Sequence, residues 1–272
     1  MTRTIRFLGR GLAAIVIVGF LFLAMIPFFF MAITSLQNTT SVSLSFDASR
    51  LAFSNFTKLF TQYGFGAALL TSSIVVVLAC VLNLFVASLA AYAFEKKPFP
   101  GSEALFIIYL VSMMVPIQVT LIPLFTIMKS LGLLNTYLSL ALPWVNAFGV
   151  FLIRQFLVTI PDELLEAARL DGASDLRIFR TIVIPLIRPV LVALTVFTFI
   201  STWNDFLWPL VSISDNQRQT VTLAAANLVG NLTQQYGLIM AGSVVCFIVP
   251  LVMYIFLQKQ FVEGVTSSGL KG

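Results

Sequence analysis

The chain has 272 residues, of which 59% are hydrophobic and only 10% charged, and its mean hydropathy is +1.00. A soluble globular domain is about half apolar and about a quarter charged, so this composition excludes that class and indicates an all-α polytopic membrane protein. The net charge is +5. Histidine, the commonest general base and metal ligand, is absent, so we predict no catalytic and no metal-binding residues.

Apolar segments long enough to cross a bilayer predict six membrane helices. In chain order they lie near residues 11–34, 67–93, 104–128, 137–158, 184–211 and 237–258. The first run follows Arg3, Arg6 and Arg10, as in a signal peptide, but it exceeds the roughly 7–15 apolar residues of a signal core, which favours an uncleaved anchor. Asp205 interrupts the fifth span. We expect residues 1–272 to form a single transmembrane domain.

The basic residues predict the orientation of these spans. If both termini are cytoplasmic, twelve of the 16 Lys and Arg residues lie in inner segments. The inner residues are Arg3, Arg6, Arg10, Lys96, Lys97, Arg154, Arg169, Arg177, Arg180, Arg188, Lys259 and Lys271. The outer residues are Arg50, Lys58, Lys129 and Arg218. This bias follows the positive-inside rule, and it explains the positive net charge without nucleic acid.

Prolines lie inside or near five of the six predicted spans, and each is expected to bend its helix: Pro27, Pro116, Pro123, Pro143, Pro185, Pro189, Pro209 and Pro250. Ordinary membrane-helix composition and a bundle whose halves rearrange both explain them. The second span lacks proline, but its Ala87 and Ala91 allow close helix contact. Cys80 and Cys246 lie in apolar runs and are predicted to be buried hydrophobic residues.

The segment 159–183, between the fourth and fifth spans, contains the most charged helix-forming stretch, LLEAARLDGASDLRIFR from Leu164 to Arg180. We expect a helix with Pro161 in its first turn and Thr159 as its cap. Gly172 should end it, and Ser174 should cap a second helix. Small residues on one side suit a groove on another protein. The alternative is an amphipathic helix on the inner leaflet, although acidic residues near anionic lipid disfavour it.

One run within this segment, EAARLDGASDLRIFRTIVIP, resembles the EAA signature of permease subunits of binding-protein-dependent ABC importers. That signature has Glu-Ala-Ala, Gly after three residues, Ile after nine more, and Leu-Pro after one more. Here these positions are Glu166, Ala167, Ala168, Gly172, Ile182, Ile184 and Pro185, with Ile184 in place of Leu. The stretches ASLAAYAF, FPG, WNDFLWPL and FVEGVTSSGLKG are similar to the carbohydrate branch, above all to the second permease subunit of maltose-type systems.

The resemblance implies a type I ABC importer permease fold, whose six helices form half of a translocation pathway in a bacterial or archaeal cytoplasmic membrane. It implies that the EAA helix docks in a cleft of an ATP-binding subunit, through Glu166, Ala167, Ala168, Arg169, Asp171 and Gly172. The implied partners are an ATP-binding subunit dimer, a second homologous permease, an extracytoplasmic solute-binding protein, a sugar and membrane lipid. The chain itself has no G-x-x-x-x-G-K-[ST] loop, so ATP and Mg²⁺ are expected on the partner ATPase, with no cofactor and no enzymatic activity in this chain.

The sequence offers less about the substrate route. Asp205 is an acid within a predicted span, and intramembrane charge usually faces a pathway or a partner helix. Its neighbours Trp203 and Asn204, with Trp208, suit a sugar ring, whose faces are apolar and whose edges carry hydroxyl groups. The alternative is an interfacial tryptophan belt in which Asp205 meets water. Further candidates are Asn83, Gln118 and Asn146, which hydrogen bonds between helices would explain equally well.

The sequence bears on three other functions. One is import of glycerol phosphate or another polyol; no basic residue lies deep in a span, which favours a neutral sugar over a phosphorylated polyol. An ion-coupled secondary transporter would show several intramembrane acids and two matching halves, and the sequence has neither. A membrane enzyme would need a convergent catalytic set, and no Ser–Lys or paired-carboxylate arrangement is found.

Overall fold

In the computed structural model, residues 2–40, 51, 53–231 and 235–269 are described. Of the basic residues that predict the orientation, Arg50 and Lys271 lie outside the described residues, and the side chains of Arg3, Arg6, Arg10 and Lys259 are not described either. The regular elements of the described residues are helices, apart from an isolated antiparallel bridge between Gln37 and Leu51. The predicted all-α class is therefore confirmed.

The helices are of very different lengths, from single turns to more than thirty residues. They are α1 (Thr2–Ser35), α2 (Ser54–Gln62), α3 (Phe65–Lys96), α4 (Ser102–Ser112), α5 (Ile117–Ser130), α6 (Tyr137–Ala141), α7 (Ala147–Leu157), α8 (Asp162–Leu170), α9 (Asp175–Ile178), α10 (Ile184–Leu186), α11 (Arg188–Trp203), α12 (Leu207–Ser212), α13 (Val221–Asn231) and α14 (Tyr236–Gly269). Short 3₁₀ segments cover Leu142–Trp144 and Asn216–Arg218, and a π-helical segment, Phe179–Val183, joins α9 to α10.

Three single helical stretches are long and apolar enough to cross a membrane: Ala13–Ser35, Phe65–Lys96 and Tyr236–Phe256. Three bent pairs of helices pass the same test: Ser102–Ser112 with Ile117–Ser130, Tyr137–Trp144 with Ala147–Leu157, and Asp175–Leu186 with Arg188–Trp203. Counting each pair as one span gives six within the described residues, in agreement with the prediction.

Proline explains where two of the three bent spans break. The predicted span 104–128 is two helices at 107°, and the second begins immediately after Pro116. Proline cannot donate a backbone hydrogen bond and disfavours a helical residue before it. The fifth predicted span bends by 75° between Pro185 and Pro189, and its helix ends at Trp203 instead of residue 211.

Other prolines have no such effect. Pro27 lies inside the uninterrupted helix α1 and Pro250 inside α14, so the bends expected there do not break either helix. A membrane helix accommodates an internal proline where neighbouring groups satisfy the freed carbonyl.

The chain divides into two compact units. The first comprises Met1–Phe65 and Ala224–Ile248. In it, the buried Asn55 Nδ2 donates hydrogen bonds to the carbonyl oxygens of Ser35 (2.9 Å) and Gln37 (3.0 Å), which fastens α2 to the end of α1. Gly237 packs directly on the same turn, since a Cβ there would lie 2.0 Å from the Gln37 carbonyl oxygen.

The second unit comprises Gly66–Leu223 and Val249–Gly272. Its larger core surrounds the C-terminal half of α3, which contributes the fully buried Ala87 and Ala91 and so confirms the close helix contact predicted for them. This core includes Ile153, Leu157, Leu165, Ile178, Val183, Ile187 and Leu194. A smaller core contains Val75, Met128, Leu140, Trp208 and Ile213. The larger core extends beneath the segment 159–183, which is therefore packed against the spans.

Candidate functional site

The segment 159–183 forms a helical hairpin, which we call the EAA hairpin: α8, a tight turn, and α9 with the π-helical segment. Pro161 occupies the cap position of α8, one residue before the predicted first turn. The predicted cap by Thr159 is wrong, because its Oγ1 donates to the Phe156 carbonyl oxygen at 2.8 Å. Ser174 is at the cap position of α9, as predicted, but its side chain makes no capping hydrogen bond.

Gly172 ends α8, as the sequence predicts. Its φ is +79°, a left-handed conformation that glycine adopts without a Cβ penalty. The amide of Ala173 donates to the Ala168 carbonyl oxygen, and the amide of Gly172 donates to that of Arg169, each at 3.0 Å. This pair of hydrogen bonds is a Schellman motif, which satisfies two carbonyl groups at the helix end and reverses the chain into α9.

The two sides of α8 differ sharply. Leu165 is 2% exposed and belongs to the larger core, and Ala168 packs against that core. On the other side Glu166 and Ala167 are exposed, and Leu170 is 90% exposed. Leu170 adds an apolar side chain to this exposed side, which makes the outer side of α8 a candidate contact surface.

The second arm of the hairpin is fixed by buried apolar contacts. Ile178 and Val183 are each 0% exposed, and Phe179 lies with its ring centroid 5.3 Å from that of Tyr92 on α3. Ile187, at the bend before α11, is also 0% exposed. The hairpin therefore has little freedom to move without α3 and α11.

Three consecutive residues, the last two of α3 and the one that follows it, each pair with a different helix. We call them the α3 charge triad: Glu95, Lys96 and Lys97. Glu95 Oε2 accepts a hydrogen bond from Arg154 Nε of α7 at 2.9 Å. Lys96 Nζ donates to Asp162 Oδ1 of α8 at 2.6 Å, and Lys97 pairs with Asp175 of α9.

Lys96 is the most enclosed member of the triad. Its side chain is 4% exposed, and Nζ also donates to the Ile160 carbonyl oxygen at 2.7 Å. Arg154 is enclosed as well, with its guanidinium carbon 3.9 Å from the ring centroid of Phe106. The triad thus connects α3 to α7 and to both arms of the hairpin. Sequence reasoning counted Lys96, Lys97 and Arg154 only as inner-segment basic residues and did not single out Glu95. The run of three charges that ends an apolar helix was the available signal.

The substrate-route candidates near the end of α11 differ in how deeply they are buried. Trp203 is 2% exposed and its ring stacks on Phe199 with centroids 5.8 Å apart, so it lies in the core. Asn204 is exposed, with Nδ2 bonded to the Ile200 carbonyl oxygen at 2.9 Å. Asp205 is half-buried: its Oδ1 accepts from the Trp208 amide at 3.3 Å.

The remaining candidates lie elsewhere in the second unit. Asn146 caps α7, since its Oδ1 accepts from the Gly149 amide at 3.4 Å. Gln118 is exposed in the first turn of α5, just after the break at Pro116. Asn83 is 1% exposed and donates to Thr198 Oγ1 at 2.9 Å, which is the helix-to-helix hydrogen bond offered as its alternative role. The six candidates therefore differ in exposure: Asn204 and Gln118 are exposed, whereas Trp203 and Asn83 are buried.

Comparison with known proteins adds family evidence. A family model described as "Binding-protein-dependent transport system inner membrane component" matches residues 83–266, which include the α3 charge triad, the EAA hairpin and α11.

Several curated relatives match most of the chain. It is 34% identical over 269 residues to the arabinooligosaccharides transport system permease protein AraQ of Halalkalibacterium halodurans, covering 94% of this chain and 95% of that one. It is 32% identical over 251 residues to the lactose transport system permease protein LacG of Rhizobium radiobacter, covering 91% of each. It is 38% identical over 207 residues to the sn-glycerol-3-phosphate transport system permease protein UgpE of Salmonella typhi, covering 75% of this chain and 74% of that one.

The fold has a solved counterpart. A crystal structure of a bacterial ABC transporter involved in the import of the acidic polysaccharide alginate contains a chain that matches with a TM-score of 0.80 at 23% identity, covering 92% of this chain and 95% of that one. This similarity supports the fold of an ABC importer permease. Since the family model matches more than half of the chain and relatives above 30% identity extend over nearly all of it, the chain belongs to the binding-protein-dependent transport system inner membrane components, the permease subunits of ABC importers.

Proposed function

We propose that this chain is the transmembrane subunit of an ATP-driven sugar importer, with both termini in the cytoplasm. In this proposal it pairs with a second homologous permease to form the pathway, receives sugar from an extracytoplasmic solute-binding protein, and docks on an ATP-binding subunit dimer that holds ATP and Mg²⁺. Family membership supports the transport role, and the EAA hairpin supports the docking role.

The outward side of α8 carries the docking proposal. Ala167 and Glu166 are exposed beside the fully protruding Leu170, and the opposite side of the helix is anchored by Leu165. Small and apolar side chains suit close insertion of α8 into a cleft. Asp162 and Glu163 in its first turn, and the turn at Gly172 after its last, limit the orientations in which α8 fits that cleft. An ATP-binding subunit that closes around α8 would push on a helix with a rigid base.

The α3 charge triad connects the EAA hairpin to the membrane helices α3 and α7, so a movement of the hairpin would also move these helices. Movement of α8 is transmitted to α3 through Lys96, and from α3 to α7 through the bond between Glu95 and Arg154. Movement of the second arm reaches α11 through the buried bend at Ile187. Coupling of this kind needs two distinct sites joined by an element with two arrangements, and we assign that element to the hairpin with the ends of α3, α7 and α11.

Within the pathway we assign solute contact to Asn204 and Gln118, because these two candidates are exposed. Asn204 continues an exposed stripe of α11 that contains Phe197, Ile200 and Ser201 at helical spacing. We assign positioning roles to Trp203, Asp205 and Asn146, whose side chains stack on or cap neighbouring helices.

For the substrate, a neutral oligosaccharide is favoured over glycerol phosphate. The arabinooligosaccharide and lactose relatives extend over more than nine-tenths of the chain, whereas the glycerol-3-phosphate relative covers three quarters. The lack of basic residues deep in the predicted spans agrees with an uncharged solute. Binding of the cognate solute-binding protein to a panel of sugars and glycerol phosphate decides between the two: preference for glycerol phosphate would refute the sugar assignment.

The docking proposal is tested with the complete transporter in liposomes. Ala167→Trp enlarges the exposed side of α8, and we expect it to abolish solute-stimulated ATP hydrolysis and uptake while the chain still assembles in the membrane. Ser130→Trp makes the same change at an exposed position on the predicted outer side and should leave both activities intact. Normal uptake by Ala167→Trp would refute the docking assignment.

A further inference from the structure

The second arm of the EAA hairpin has an orientation that the docking proposal does not use. The helical stretch Asp175–Leu186 makes an angle of 75° with Arg188–Trp203. Membrane helices tilt by about 20° on average from the bilayer normal. If Arg188–Trp203 crosses the bilayer, the stretch Asp175–Leu186 therefore runs close to the membrane plane, at the cytoplasmic boundary in the proposed orientation.

This stretch carries a basic cavity. Ser174, Leu176, Arg177, Arg180 and Thr181 line a surface cavity of about 390 Å³. Arg177 and Arg180 are both exposed and, lying three apart, share one side of the helix. Neither has a carboxylate partner within ion-pair distance in the described part of the chain.

The acid nearest to these arginines along the helix is already paired. Asp175 pairs with Lys97, and its Oδ1 lies 3.9 Å from Arg169 Nε. Thr181 Oγ1 donates to the Arg177 carbonyl oxygen at 2.7 Å, which leaves that hydroxyl oxygen as an acceptor. The two guanidinium groups are thus the charged donors of the cavity, and they match a phosphate in charge and geometry.

The cavity also has an apolar wall. Leu176, which lines it, is 63% exposed. Two arginines beside an exposed leucine, on a helix close to the membrane plane, suit a molecule with an anionic head and an apolar body. We propose that this cavity binds the headgroup of an anionic phospholipid of the inner leaflet, with Arg177 and Arg180 on the phosphate. Basic pockets on the cytoplasmic side of membrane proteins bind such headgroups in the same way.

The inference adds a lipid partner to the proposed function and uses only its orientation, so the test needs no ATP-binding subunit. Native mass spectrometry of the purified, delipidated full-length chain would compare phosphatidylglycerol with phosphatidylcholine of the same acyl chains. We expect tighter binding of phosphatidylglycerol. Arg177→Gln with Arg180→Gln should weaken that binding about 25-fold, since each arginine near an anionic surface contributes roughly fivefold.

Two variants serve as controls. Lys129→Gln removes an exposed charge from the predicted outer side and should leave phosphatidylglycerol binding unchanged. Arg177→Lys with Arg180→Lys keeps the charge and should retain most of the preference. Photoactivatable phosphatidylglycerol, crosslinked to the unaltered chain, should label the peptide 174–181, a readout that does not depend on any variant folding.

Equal binding of the two lipids, or labelling confined to other segments, would overturn the proposal. Unchanged phosphatidylglycerol binding after both glutamine substitutions would overturn it as well, because the arginines would then not hold the headgroup. Failure of this test leaves the docking of α8 unaffected, since that rests on different residues and a different assay.

Discussion

Two neighbouring lysines of the α3 charge triad provide a matched comparison. Lys96 is 4% exposed and donates to the Ile160 carbonyl oxygen and to Asp162, whereas Lys97 and its partner Asp175 are 38% and 58% exposed. Lys96→Ala leaves the Ile160 carbonyl without its donor and removes a charge-assisted bond, a loss of about 2–3 kcal/mol. Lys97→Ala removes an exposed ion pair, which contributes about 0–1 kcal/mol.

The assay is thermal unfolding of the full-length chain in detergent at a fixed scan rate, followed by the fluorescence of the buried tryptophans. At about 2–4 °C per kcal/mol for a chain of this size, Lys96→Ala should lower Tm by about 4–12 °C. Lys97→Ala should lower it by less than about 4 °C. Equal shifts, or a larger shift for Lys97→Ala, would refute the reasoning that enclosure and the Ile160 bond make Lys96 the principal anchor of α8.

Further substitutions test the turn, the helix contact and the pathway. Gly172→Ala and Gly132→Ala each place a Cβ at positive φ, with no atom within 4 Å of it, so each should lower the free energy of unfolding by about 1–2 kcal/mol. Only Gly172→Ala should reduce solute-stimulated ATP hydrolysis in the complete transporter. Gly149→Ala puts a methyl group 2.9 Å from a side-chain oxygen of α3 and should destabilise the chain by about 1–3 kcal/mol in the same thermal assay, and an unchanged Tm would contradict that close contact. Asn204→Ala should raise the KM for uptake with little effect on Tm. Asp205→Ala should lower Tm through loss of the bond to the Trp208 amide, whereas Asp205→Asn should keep the Tm of the unaltered chain. A lowered Tm for Asn204→Ala and a raised KM for Asp205→Ala would contradict the assignment of solute contact to Asn204 and of positioning to Asp205.

Local chemistry made parts of this fold predictable. Gly172 was expected to end α8 because few other residues adopt its backbone conformation, and the structure has it at positive φ. The spans followed from apolar length alone. Proline was a weaker guide: Pro116 breaks its span, while Pro27 lies within an unbroken helix. Both prolines lie in apolar segments, so the sequence alone does not distinguish the proline that breaks its helix from the one that does not.

The parts of the site that sequence reasoning missed depend on contacts distant in the chain. Glu95 and Arg154 are 59 residues apart, and only the packing of α3 against α7 makes them partners. Trp208 resembled an interfacial aromatic residue near the end of a span. In the structure it is 1% exposed, and its Nε1 donates to the Ser139 carbonyl oxygen at 2.8 Å. Burial and hydrogen-bond partners are tertiary properties, and they distinguish residues that contact another molecule from residues that stabilise the fold.

Site-directed crosslinking of α8 tests the central claim most directly. Ala167→Cys places a thiol on the exposed side of α8, and Lys129→Cys places one on the predicted outer side as a control. In the assembled transporter, a short thiol-to-amine crosslinker should join position 167 to the ATP-binding subunit in a nucleotide-dependent manner and should give no such product from position 129. Absence of a product from position 167, or equal products from both positions, would contradict docking through the EAA hairpin.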